Sequence, residues 1–575
     1  MVSGGELIAR QLAAEGVDTV FGIIDGTYFG LYSSFERHGI RLVSPRHESS
    51  GVHMAAAFAR QTGRLGVCLA SNGPGVANAL PGVAVEQAEG NRVLLITSSR
   101  RHAIVEPDRG GTFQCFPQVQ AIGAMSKLSV HVPSADRIGE LTRQALRACF
   151  TGRPGVVHLD VPEDLFNGQT VDQTTRAPDS YRATEPLAAP KAQIRRLTEL
   201  LRAARRPLIH AGSGVLHAQA YEGLLRLARR LGCPITTSWA ARAVVDERDP
   251  NSVPMVYLDT IKRARNEADL VLVLGSRLGE TDWWGKAPYW ASADRQKLVQ
   301  VDIDGSVLGN IRPTDLAVQA DVGVVLDALD IALRGHEADD SWLRGLRADC
   351  QKRRRQLDSK HLDRRAMPMR TAVVPGICQE VLGDDAIAVL DGGNTAVWGT
   401  FFTEVRSPNS LLSTPKMGML GAGCSQPLAA KLAHPDRPVY CILGDGAMGF
   451  HAQEVETAVR NGLQVIWLVV CDKQWGMVKI NQQFKLKPIK TLVKGTLSPE
   501  ETINTDLGEI EFDALARAMG AHGERVADPA GLEGALRRSV ASGLPAVIHL
   551  DVDPVKHLWA PHLKTFQDMH QEPAG

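Results

Sequence analysis

Short apolar runs alternate with longer segments of mixed polarity along most of the chain. Residues 439–443 and 465–470 are two such runs, and the segment between them has the length of a helix. Two short apolar runs that flank a helix predict a β-α-β unit with parallel strands. Both strands of such a unit end at the same edge of the sheet, where open α/β folds bind their ligands. The pattern therefore predicts a binding site just after these two runs.

A short internal sequence repeat extends this pattern to whole domains. Residues 152–161 and 543–552 have similar sequences, and each ends a module of alternating apolar runs and helical segments. A third module, with apolar runs at 207–214, 268–275 and 297–304, lies between them. We therefore predict an α/β protein with three doubly wound parallel-sheet domains, of which the first and the last have related topology.

Two polar segments separate these modules. Residues 171–191 are polar and contain three prolines, and residues 336–365 are highly charged, which predicts linkers. The basic run 352–355 also resembles a nucleic-acid patch, but the acidic residues around it favour a solvated helix between domains. The predicted domains are residues 1–170, 192–335 and 366–575.

The composition excludes several classes of partner. The 575 residues include 64 Lys plus Arg and 64 Asp plus Glu, so the formal net charge is zero. This balance leaves no basic excess for nucleic acid or an anionic membrane, and no apolar stretch reaches the ~18 residues of a membrane span. The nine cysteines form no CxxC pair and lie mostly in apolar runs, as in proteins of reducing compartments. We expect a soluble, cytoplasmic protein.

Acidic residues stand at the two predicted strand ends. Asp445 lies between Gly444 and Gly446 after the first run, and Asp472 follows the second run 27 positions later. Mg²⁺ takes one or two carboxylates and fills its remaining positions with phosphate oxygens and water. A lone Gly-Asp-Gly is also typical of an ordinary turn, but the second acid favours a metal-diphosphate site.

Six motifs, in this order and spread over nearly the whole chain, resemble those of one enzyme family. They are Arg46-His47-Glu48, Gly73-Pro74-Gly75, Phe113-Gln114, Gly418-Met419-Leu420-Gly421, Gly444-Asp445-Gly446 and Gly476-Met477. The chain resembles the thiamine diphosphate-dependent enzymes, which include acetolactate synthase, benzaldehyde lyase, pyruvate decarboxylase, oxalyl-CoA decarboxylase and 2-hydroxyacyl-CoA lyase. The resemblance implies the thiamine diphosphate-binding fold, with a pyrimidine-binding first domain and a diphosphate-binding last domain.

The resemblance also implies which residues hold the cofactor. Glu48 matches the carboxylate that hydrogen-bonds the aminopyrimidine ring, so that the exocyclic nitrogen of the ring acts as a base. Leu420 matches the bulky residue beneath the bent cofactor, and backbone groups of Gly418 and Leu420 meet the pyrimidine. Glycine turns at strand ends offer backbone N–H groups to phosphate. The remaining cofactor-binding candidates are Gly393, Asn394, Thr395, Gly444, Gly446, Ala447, Gly476 and Met477.

By the same resemblance, Asp445, Asp472 and the carbonyl of Gln474 are the expected Mg²⁺ ligands. Here the chain departs from the family, since relatives commonly have Asn-Asn where this sequence has Cys471-Asp472. Asp and Asn are nearly isosteric and both offer an oxygen. Metal binding is therefore expected to survive, with one extra negative charge near the diphosphate.

The substrate face is expected to contact a small carbonyl compound. Phe113 and Gln114 match a pair that faces the active centre in acetolactate synthases and benzaldehyde lyase, and Gln114 joins Glu48 as a catalytic candidate. Ile24-Asp25 begins the tripeptide that stands where synthases have Pro-Gly-Gly. Asn481 stands where many synthases have tryptophan, which argues against a standard branched-chain biosynthetic enzyme.

Three functions remain open at this stage. The first is formation or cleavage of a carbon–carbon bond next to a carbonyl, as in acetolactate synthase-like ligation or decarboxylation of 2-oxo acids. The second is a lyase acting on 2-hydroxy ketones or 2-hydroxyacyl-CoA. The third is a non-catalytic regulatory paralogue, which the presence of Glu48, Gln114 and Asp445 disfavours.

The resemblance also bears on the central domain and on assembly. Some relatives hold FAD in the central domain, others hold ADP, and many hold nothing. No counterpart of the glycine- and histidine-rich FAD segment is present, so FAD is not expected, whereas ADP remains open. Because relatives place each cofactor between two chains, we expect a homodimer or a homotetramer with its active sites at the subunit interface.

Overall fold

A computed structural model describes residues 1–105, 110–563 and 565. Three parallel sheets, of six, five and six strands, follow one another along this part of the chain. Each sheet is covered by helices that lie between its strands in the sequence. The predicted fold class, three doubly wound parallel-sheet domains, is confirmed.

The first sheet has the strand order β3-β2-β4-β5-β7-β6. A small antiparallel pair, β1 with β8, lies beside it. The strands are β1 (Val2–Ser3), β2 (Thr19–Gly22), β3 (Arg41–Val43), β4 (Gly66–Ala70), β5 (Val93–Ser99), β6 (Leu128–His131), β7 (Val156–Pro162) and β8 (Gln169–Thr170). The helices are α1 (Gly4–Ala14), α2 (Phe29–Tyr32), α3 (Glu48–Thr62), α4 (Pro74–Glu89), α5 (His102–Val105), α6 (Gln118–Gly123), α7 (Ile138–Phe150) and α8 (Glu163–Asn167).

The central sheet has the order β10-β9-β11-β12-β13. Its strands are β9 (Pro207–Ala211), β10 (Ile235–Thr237), β11 (Leu270–Leu274), β12 (Lys297–Asp302) and β13 (Leu316–Gln319). Its helices are α9 (Lys191–Ala203), α10 (Ser213–His217), α11 (Tyr221–Leu231), α12 (Leu258–Glu267) and α13 (Val322–Ala332). The charged segment that follows forms α14 (Ser341–His361), which buries Leu343, Leu346 and Cys350.

The last sheet has the order β15-β14-β16-β17-β19-β18. Its strands are β14 (Ile387–Leu390), β15 (Leu411–Leu412), β16 (Val439–Gly444), β17 (Ile466–Cys471), β18 (His522–Val526) and β19 (Ala546–Asp551). Its helices are α15 (Val374–Leu382), α16 (Asn394–Phe402), α17 (Ala422–Ala433), α18 (Asp445–His451), α19 (Glu454–Asn461), α20 (Gly476–Leu486), α21 (Pro488–Lys494), α22 (Phe512–Ala518), α23 (Pro529–Ser542) and α24 (Pro554–Leu558).

The first and the last sheets have the same topology. Strands β7 and β19 lie in the two repeated segments, residues 152–161 and 543–552, and each is next to last in its sheet. Each pairs in parallel with the strand that precedes it by two in the sequence and with the strand just before it. The internal sequence repeat thus marks equivalent strands of a duplicated domain.

One apolar core joins these two domains. Helix α3 of the first domain packs against α17 of the last, and their buried side chains belong to a single cluster that includes Phe58, Ala56 and Leu428. The central domain has a core of its own around Leu272 and Val301. Among the described residues, no helix combines the length and the apolar character needed to cross a bilayer.

Candidate active site

The two predicted metal ligands follow neighbouring parallel strands. Asp445 begins α18 directly after β16, and Asp472 follows β17. Asp445 Oδ2 accepts a hydrogen bond from the backbone N–H of Lys473 at 2.7 Å, and Oδ1 accepts one from Gly446 at 2.7 Å. Asp472 Oδ2 accepts one from the side chain of Gln474 at 3.0 Å. Asp445 therefore ties the two turns together, and the bond from Gln474 to Asp472 lies within the second turn.

Both carboxyls resist ionisation. Burial raises the pKa of Asp472 to about 7. Burial, followed by the negative charge of Asp472, raises the pKa of Asp445 to about 6. A divalent cation between them would compensate for the lost hydration, and an all-oxygen donor set suits Mg²⁺. The carbonyl of Gln474 accepts one hydrogen bond, from Gly476 N–H at 2.9 Å, which leaves its second lone pair available.

The predicted diphosphate residues come together from three segments. A Cβ added to Gly476 would lie 2.8 Å from Asn394 Nδ2 and 3.4 Å from Asp472 Oδ2. A Cβ added to Gly393 would lie 3.3 Å from Met477 Cβ. A side chain at either position would have to displace its neighbour, so the two glycines let the N-terminal residues of α16 and α20 lie side by side. Such paired helix N-termini attract phosphate oxygens.

The other predicted diphosphate-binding residues, which include Thr395, Gly444 and Ala447, lie on the same turns. A Cβ on Gly444 would lie 3.1 Å from Thr395 Oγ1, and one on Gly392 would lie 3.8 Å from the Cβ of buried Ala447. The Oδ1 atom of Asn394 is buried without a hydrogen-bond partner. This oxygen has no partner and lies beside the two acids, among glycine turns that leave open space. Such an arrangement fits a bound metal diphosphate.

The Gly418-to-Gly421 motif is held by an aspartate that the sequence analysis missed. Asp391, directly after β14, accepts hydrogen bonds from the backbone of Gly421 at 2.9 Å and of Gly423 at 2.8 Å. Gly418 and Gly421 have φ angles of 60° and 93°, which favour glycine. Leu420 is half-buried and packs on the core that joins the two domains. Asp391 thus fixes the backbone directly after Leu420.

Glu48 is the first residue of α3 and is buried. Its Oε2 accepts a hydrogen bond from Asn78 Nδ2 at 3.1 Å. A Cβ on Gly75 would lie 3.3 Å from Glu48 Oε1 and 2.6 Å from Ser71 Oγ. The Arg-His-Glu and Gly-Pro-Gly motifs therefore meet, and the glycine gives the carboxylate its space.

Phe113 and Gln114 lie on an exposed turn beside the same glycine segment. Asn72 Nδ2 donates to the carbonyl of Gln114 at 3.0 Å, and Gln114 has a φ of 53°. A Cβ on Gly73 would lie 2.7 Å from Gln114 Cβ, so the turn can approach only a glycine there. In the single chain the side chain of Phe113 is 73% exposed.

The other three substrate candidates occupy different elements. Ile24 is exposed after β2. Asp25 begins a short 3₁₀ turn, where its Oδ1 accepts hydrogen bonds from Thr27 N–H at 2.9 Å and Thr27 Oγ1 at 2.6 Å. Asn481 is exposed on α20 of the last domain. Asp25 therefore caps this turn, which is a structural role in addition to its predicted contact with the substrate.

A second residue at this site escaped the sequence analysis. His557, buried on α24, lies with Nε2 3.9 Å from Asp472 Oδ2 and 3.3 Å from Thr395 Oγ1. Its Nδ1 pairs with Thr371 Oγ1 at 2.7 Å. Burial lowers the pKa of His557 to about 4, so the ring is neutral beside the acids. No local motif marks this histidine, because its neighbours come from distant segments.

Three protein-family models match this chain. Residues 2–121 match the thiamine pyrophosphate enzyme N-terminal TPP binding domain, residues 194–329 match the central domain, and residues 391–550 match the C-terminal TPP binding domain. The first match contains Glu48 and Gln114, and the last contains Asp445 and Asp472.

Relatives of known name are similar over nearly their whole length. An acetolactate synthase large subunit of Mycobacterium tuberculosis is 30% identical over 96% of both chains. Acetolactate synthase isozyme 2 large subunit of Escherichia coli is 26% identical over 97% of both. Human 2-hydroxyacyl-CoA lyase 1 is 28% identical over 96% of this chain and 95% of its own. The chain belongs to the thiamine pyrophosphate enzyme family and is a thiamine diphosphate-dependent enzyme.

Proposed function

We propose that the protein uses thiamine diphosphate together with Mg²⁺ to form or cleave a carbon–carbon bond next to a carbonyl. The observation that carries the proposal is the pair Asp445 and Asp472, two buried acids with raised pKa values at adjacent strand ends. They lie beside the turns that contain Gly393, Gly444 and Gly476, and beside the Oδ1 atom of Asn394, which has no hydrogen-bond partner. When bound, the cofactor supplies a carbon nucleophile and stores the electron pair of the bond that is broken or formed.

The residues of the chain divide the remaining tasks. Asp445, Asp472 and the Gln474 carbonyl would hold Mg²⁺, and the N-termini of α16 and α20 would hold the diphosphate. Glu48 would share a proton with the aminopyrimidine ring, for which its buried position beside Gly75 leaves room. Gln114 would donate a hydrogen bond to the substrate oxygen.

For the substrate, we place acetolactate synthase-like ligation or decarboxylation of 2-oxo acids first. Support comes from the acetolactate synthases among the relatives, one of which is 30% identical over 96% of the chain. A lyase acting on 2-hydroxy ketones or 2-hydroxyacyl-CoA is the second candidate. It is supported by the relative named 2-hydroxyacyl-CoA lyase and by Asn481, which replaces the tryptophan of many synthases.

The test is turnover by protein stripped with a chelator and then resupplied. Pyruvate, acetoin and a 2-hydroxyacyl-CoA are offered with thiamine diphosphate, with Mg²⁺, with both or with neither. Product is expected only with both additions, and pyruvate should give carbon dioxide and an acyloin-type product. Cleavage of the 2-hydroxyacyl-CoA alone would favour the second candidate. Turnover that persists without Mg²⁺ after chelation would overturn the metal assignment.

We further propose that the active unit is a homodimer or a homotetramer, with each site shared by two chains. Within one chain, Glu48 contacts Gly75 in the first turn of α4. Glu89, the last residue of α4, instead holds the backbone N–H groups of Lys416 at 2.7 Å and Met417 at 3.2 Å. Gly75 and Glu89 are about 21 Å apart along the helix at 1.5 Å per residue. Glu48 and the segment before the Gly-Met-Leu-Gly motif thus contact opposite ends of α4.

Exposed apolar side chains support the same assembly. In the single chain, Ile24 is 54% exposed and Phe113 is 73% exposed, although both are candidates for an enclosed site. A second chain that completes the site would cover both side chains. Sedimentation velocity at micromolar concentration should give a dimer or a tetramer, and a fully active monomer would contradict the proposal.

For the central domain, we propose an adenine nucleotide such as ADP as the ligand rather than FAD. The strand order reverses between β9 and β11, and a cavity of about 590 Å³ lies at their carboxyl ends. Its lining includes Gly214, Ser276 and Asp302. A crevice of this kind is the usual nucleotide site of a doubly wound sheet. Equilibrium dialysis with ADP, and the visible absorbance of protein incubated with FAD, distinguish the two ligands.

A further inference from the structure

The turn that carries the Gly418-to-Gly421 motif is bonded to a carboxylate at each end. On one side, Asp391 accepts hydrogen bonds from two backbone N–H groups that follow Leu420. On the other side, Glu89 Oε1 accepts one from the backbone N–H of Lys416 at 2.7 Å and one from that of Met417 at 3.2 Å. Asp391 belongs to the last domain, as the motif does, whereas Glu89 ends α4 of the first domain. The first domain therefore helps to set the conformation of a cofactor motif in the last domain.

Packing contributes little to the conformation of this turn. Residues 416–420 belong to no helix or strand, and Lys416, Met417 and Gly418 are all exposed. A Cβ added to Gly418 would meet nothing within 4 Å, so the turn has open space beside it. Segments with few buried contacts are the ones that open most easily. The two bonds to Glu89 therefore matter more here than they would in a packed segment.

Glu89 occupies a position that is unfavourable for a carboxylate. It is buried at the C-terminal end of α4, where the helix dipole favours a cation. Burial, followed by the negative charge of Glu86, raises the pKa of Glu89 to about 7. The guanidinium of Arg153 donates its hydrogen bonds at this helix end to the carbonyls of Gln87 at 3.2 Å and Ala88 at 2.9 Å. Strongly perturbed carboxyls of this kind are concentrated at functional sites.

Glu86, one turn earlier on α4, is a carboxyl of the same helix with partners of a different kind. It is fully buried, and its Oε1 lies 2.5 Å from His53 Nδ1. Its Oε2 accepts a hydrogen bond from Asn91 Nδ2 at 2.6 Å. Both of these partners belong to the first domain, whereas both N–H groups bonded to Glu89 belong to the last. The two glutamates therefore form a matched pair that separates a role in folding from a role at the cofactor motif.

We propose that Glu89 is a positioning residue for the cofactor. By holding the backbone of Lys416 and Met417, it fixes the turn from which Gly418 and Leu420 are expected to contact the pyrimidine of thiamine diphosphate. Glu89 acts through the backbone alone and takes no part in metal binding or proton transfer. The inference rests on the proposed function, because the turn serves the cofactor. Displacing the groups that support a preorganised site weakens binding and slows turnover.

Amide hydrogen exchange tests the contact in protein without cofactor, metal or substrate. Glu89→Gln keeps an acceptor oxygen at the same reach, so the amides of Lys416 and Met417 should stay protected. Glu89→Met keeps the length of the side chain without that oxygen, and Glu89→Ala removes both. These two variants should raise the exchange rate of the two amides about tenfold, as measured by mass spectrometry of the peptide that contains them. Unchanged exchange in both variants would overturn the proposal.

Cofactor binding tests the consequence of the contact. The dissociation constant of thiamine diphosphate at saturating Mg²⁺ is measured by calorimetric titration on each variant. It should rise about tenfold in Glu89→Met and Glu89→Ala and stay within about twofold of the wild type in Glu89→Gln. The kcat at saturating cofactor should fall in the same two variants, whereas KM for the carbonyl substrate should change little. Glu86→Gln is the control, and it should lower Tm without changing the exchange rate or the dissociation constant.

The two measurements separate the ways in which the inference can fail. Faster exchange with unchanged cofactor affinity in Glu89→Met would show that Glu89 holds the turn for the fold alone and would refute the positioning role. Equal losses of affinity in Glu86→Gln and Glu89→Met would refute it as well, since both would then reflect a general loss of stability. A wild type that bound no thiamine diphosphate would overturn the proposed function and this inference with it, while the exchange rates would still report the contact.

Discussion

Asp445 Oδ2 accepts a hydrogen bond from the backbone N–H of Lys473 at 2.7 Å, so the turn after β16 is tied to the turn after β17. Asp472 directly precedes Lys473, the residue that makes this hydrogen bond. The two acids are therefore set by the register of two parallel strands rather than by a flexible loop. A site built on such rigid elements should respond to the chemistry of its ligand atoms more than to small changes of backbone.

Substitutions of Asp472 test this point. Asp472→Ala removes an oxygen ligand and should weaken the apparent Mg²⁺ affinity by more than about tenfold. Asp472→Asn keeps an oxygen of nearly the same position and should retain metal-dependent activity. The measurement is the Mg²⁺ concentration for half-maximal activity at saturating thiamine diphosphate. Asp551→Asn, at the end of neighbouring β19, is the matched control. An unchanged Mg²⁺ requirement in Asp472→Ala would place the metal elsewhere.

Metal affinity should also depend steeply on pH. The pKa values of Asp472 and Asp445 are raised to about 7 and about 6, and both groups must lose their protons to bind a cation. Affinity should therefore rise up to about 100-fold from pH 5 to 6 and about tenfold from pH 6 to 7, then level off. Calorimetric titration of Mg²⁺ at several pH values measures this. A flat profile across this range would contradict it.

The same shifts predict the opposite trend for the metal-free fold. A carboxyl whose pKa is raised in the folded state binds its proton more tightly there than in the unfolded chain. This stabilisation is complete below about pH 4 and is lost as pH rises through about 6 and 7. For these two groups, added Mg²⁺ should therefore stabilise the protein most above pH 7. Thermal melts with and without Mg²⁺ at pH 5 and pH 8 check this.

Glu48→Gln should separate chemistry from structure. The amide can still accept the hydrogen bond from Asn78, so the fold and most cofactor affinity should survive. It cannot exchange a proton with the aminopyrimidine ring, so turnover should fall by a factor of about 100 to 10,000. The rate of turnover and the Tm should be measured on the same preparation. Near-normal turnover would remove Glu48 from the mechanism.

The sequence predicts the acid pair because strand ends can be read from apolar runs, and parallel strands bring successive ends to one edge. It does not predict Asp391, whose partners Gly421 and Gly423 lie about 30 residues away on another element. Two histidines show this limit more sharply. His158 and His549 have almost the same local sequence, yet both ring nitrogens of His158 have hydroxyl partners at 2.7 Å, whereas His549 Nε2 lies 3.5 Å from Asp551 Oδ1. The difference lies in neighbouring strands, which local sequence does not specify.

Mixing two inactive variants tests the shared site. Glu48→Gln impairs the first domain and Asp445→Ala the last, so each homodimer carries two impaired sites. If each site takes Glu48 from one chain and Asp445 from the other, a mixed dimer has one intact site and one site with both defects. Co-refolding equal amounts should restore about a quarter of wild-type activity, since half of random dimers are mixed. Each variant refolded alone is the control. No recovery, despite mixed dimers detected by native mass spectrometry, would show that each site is built within one chain.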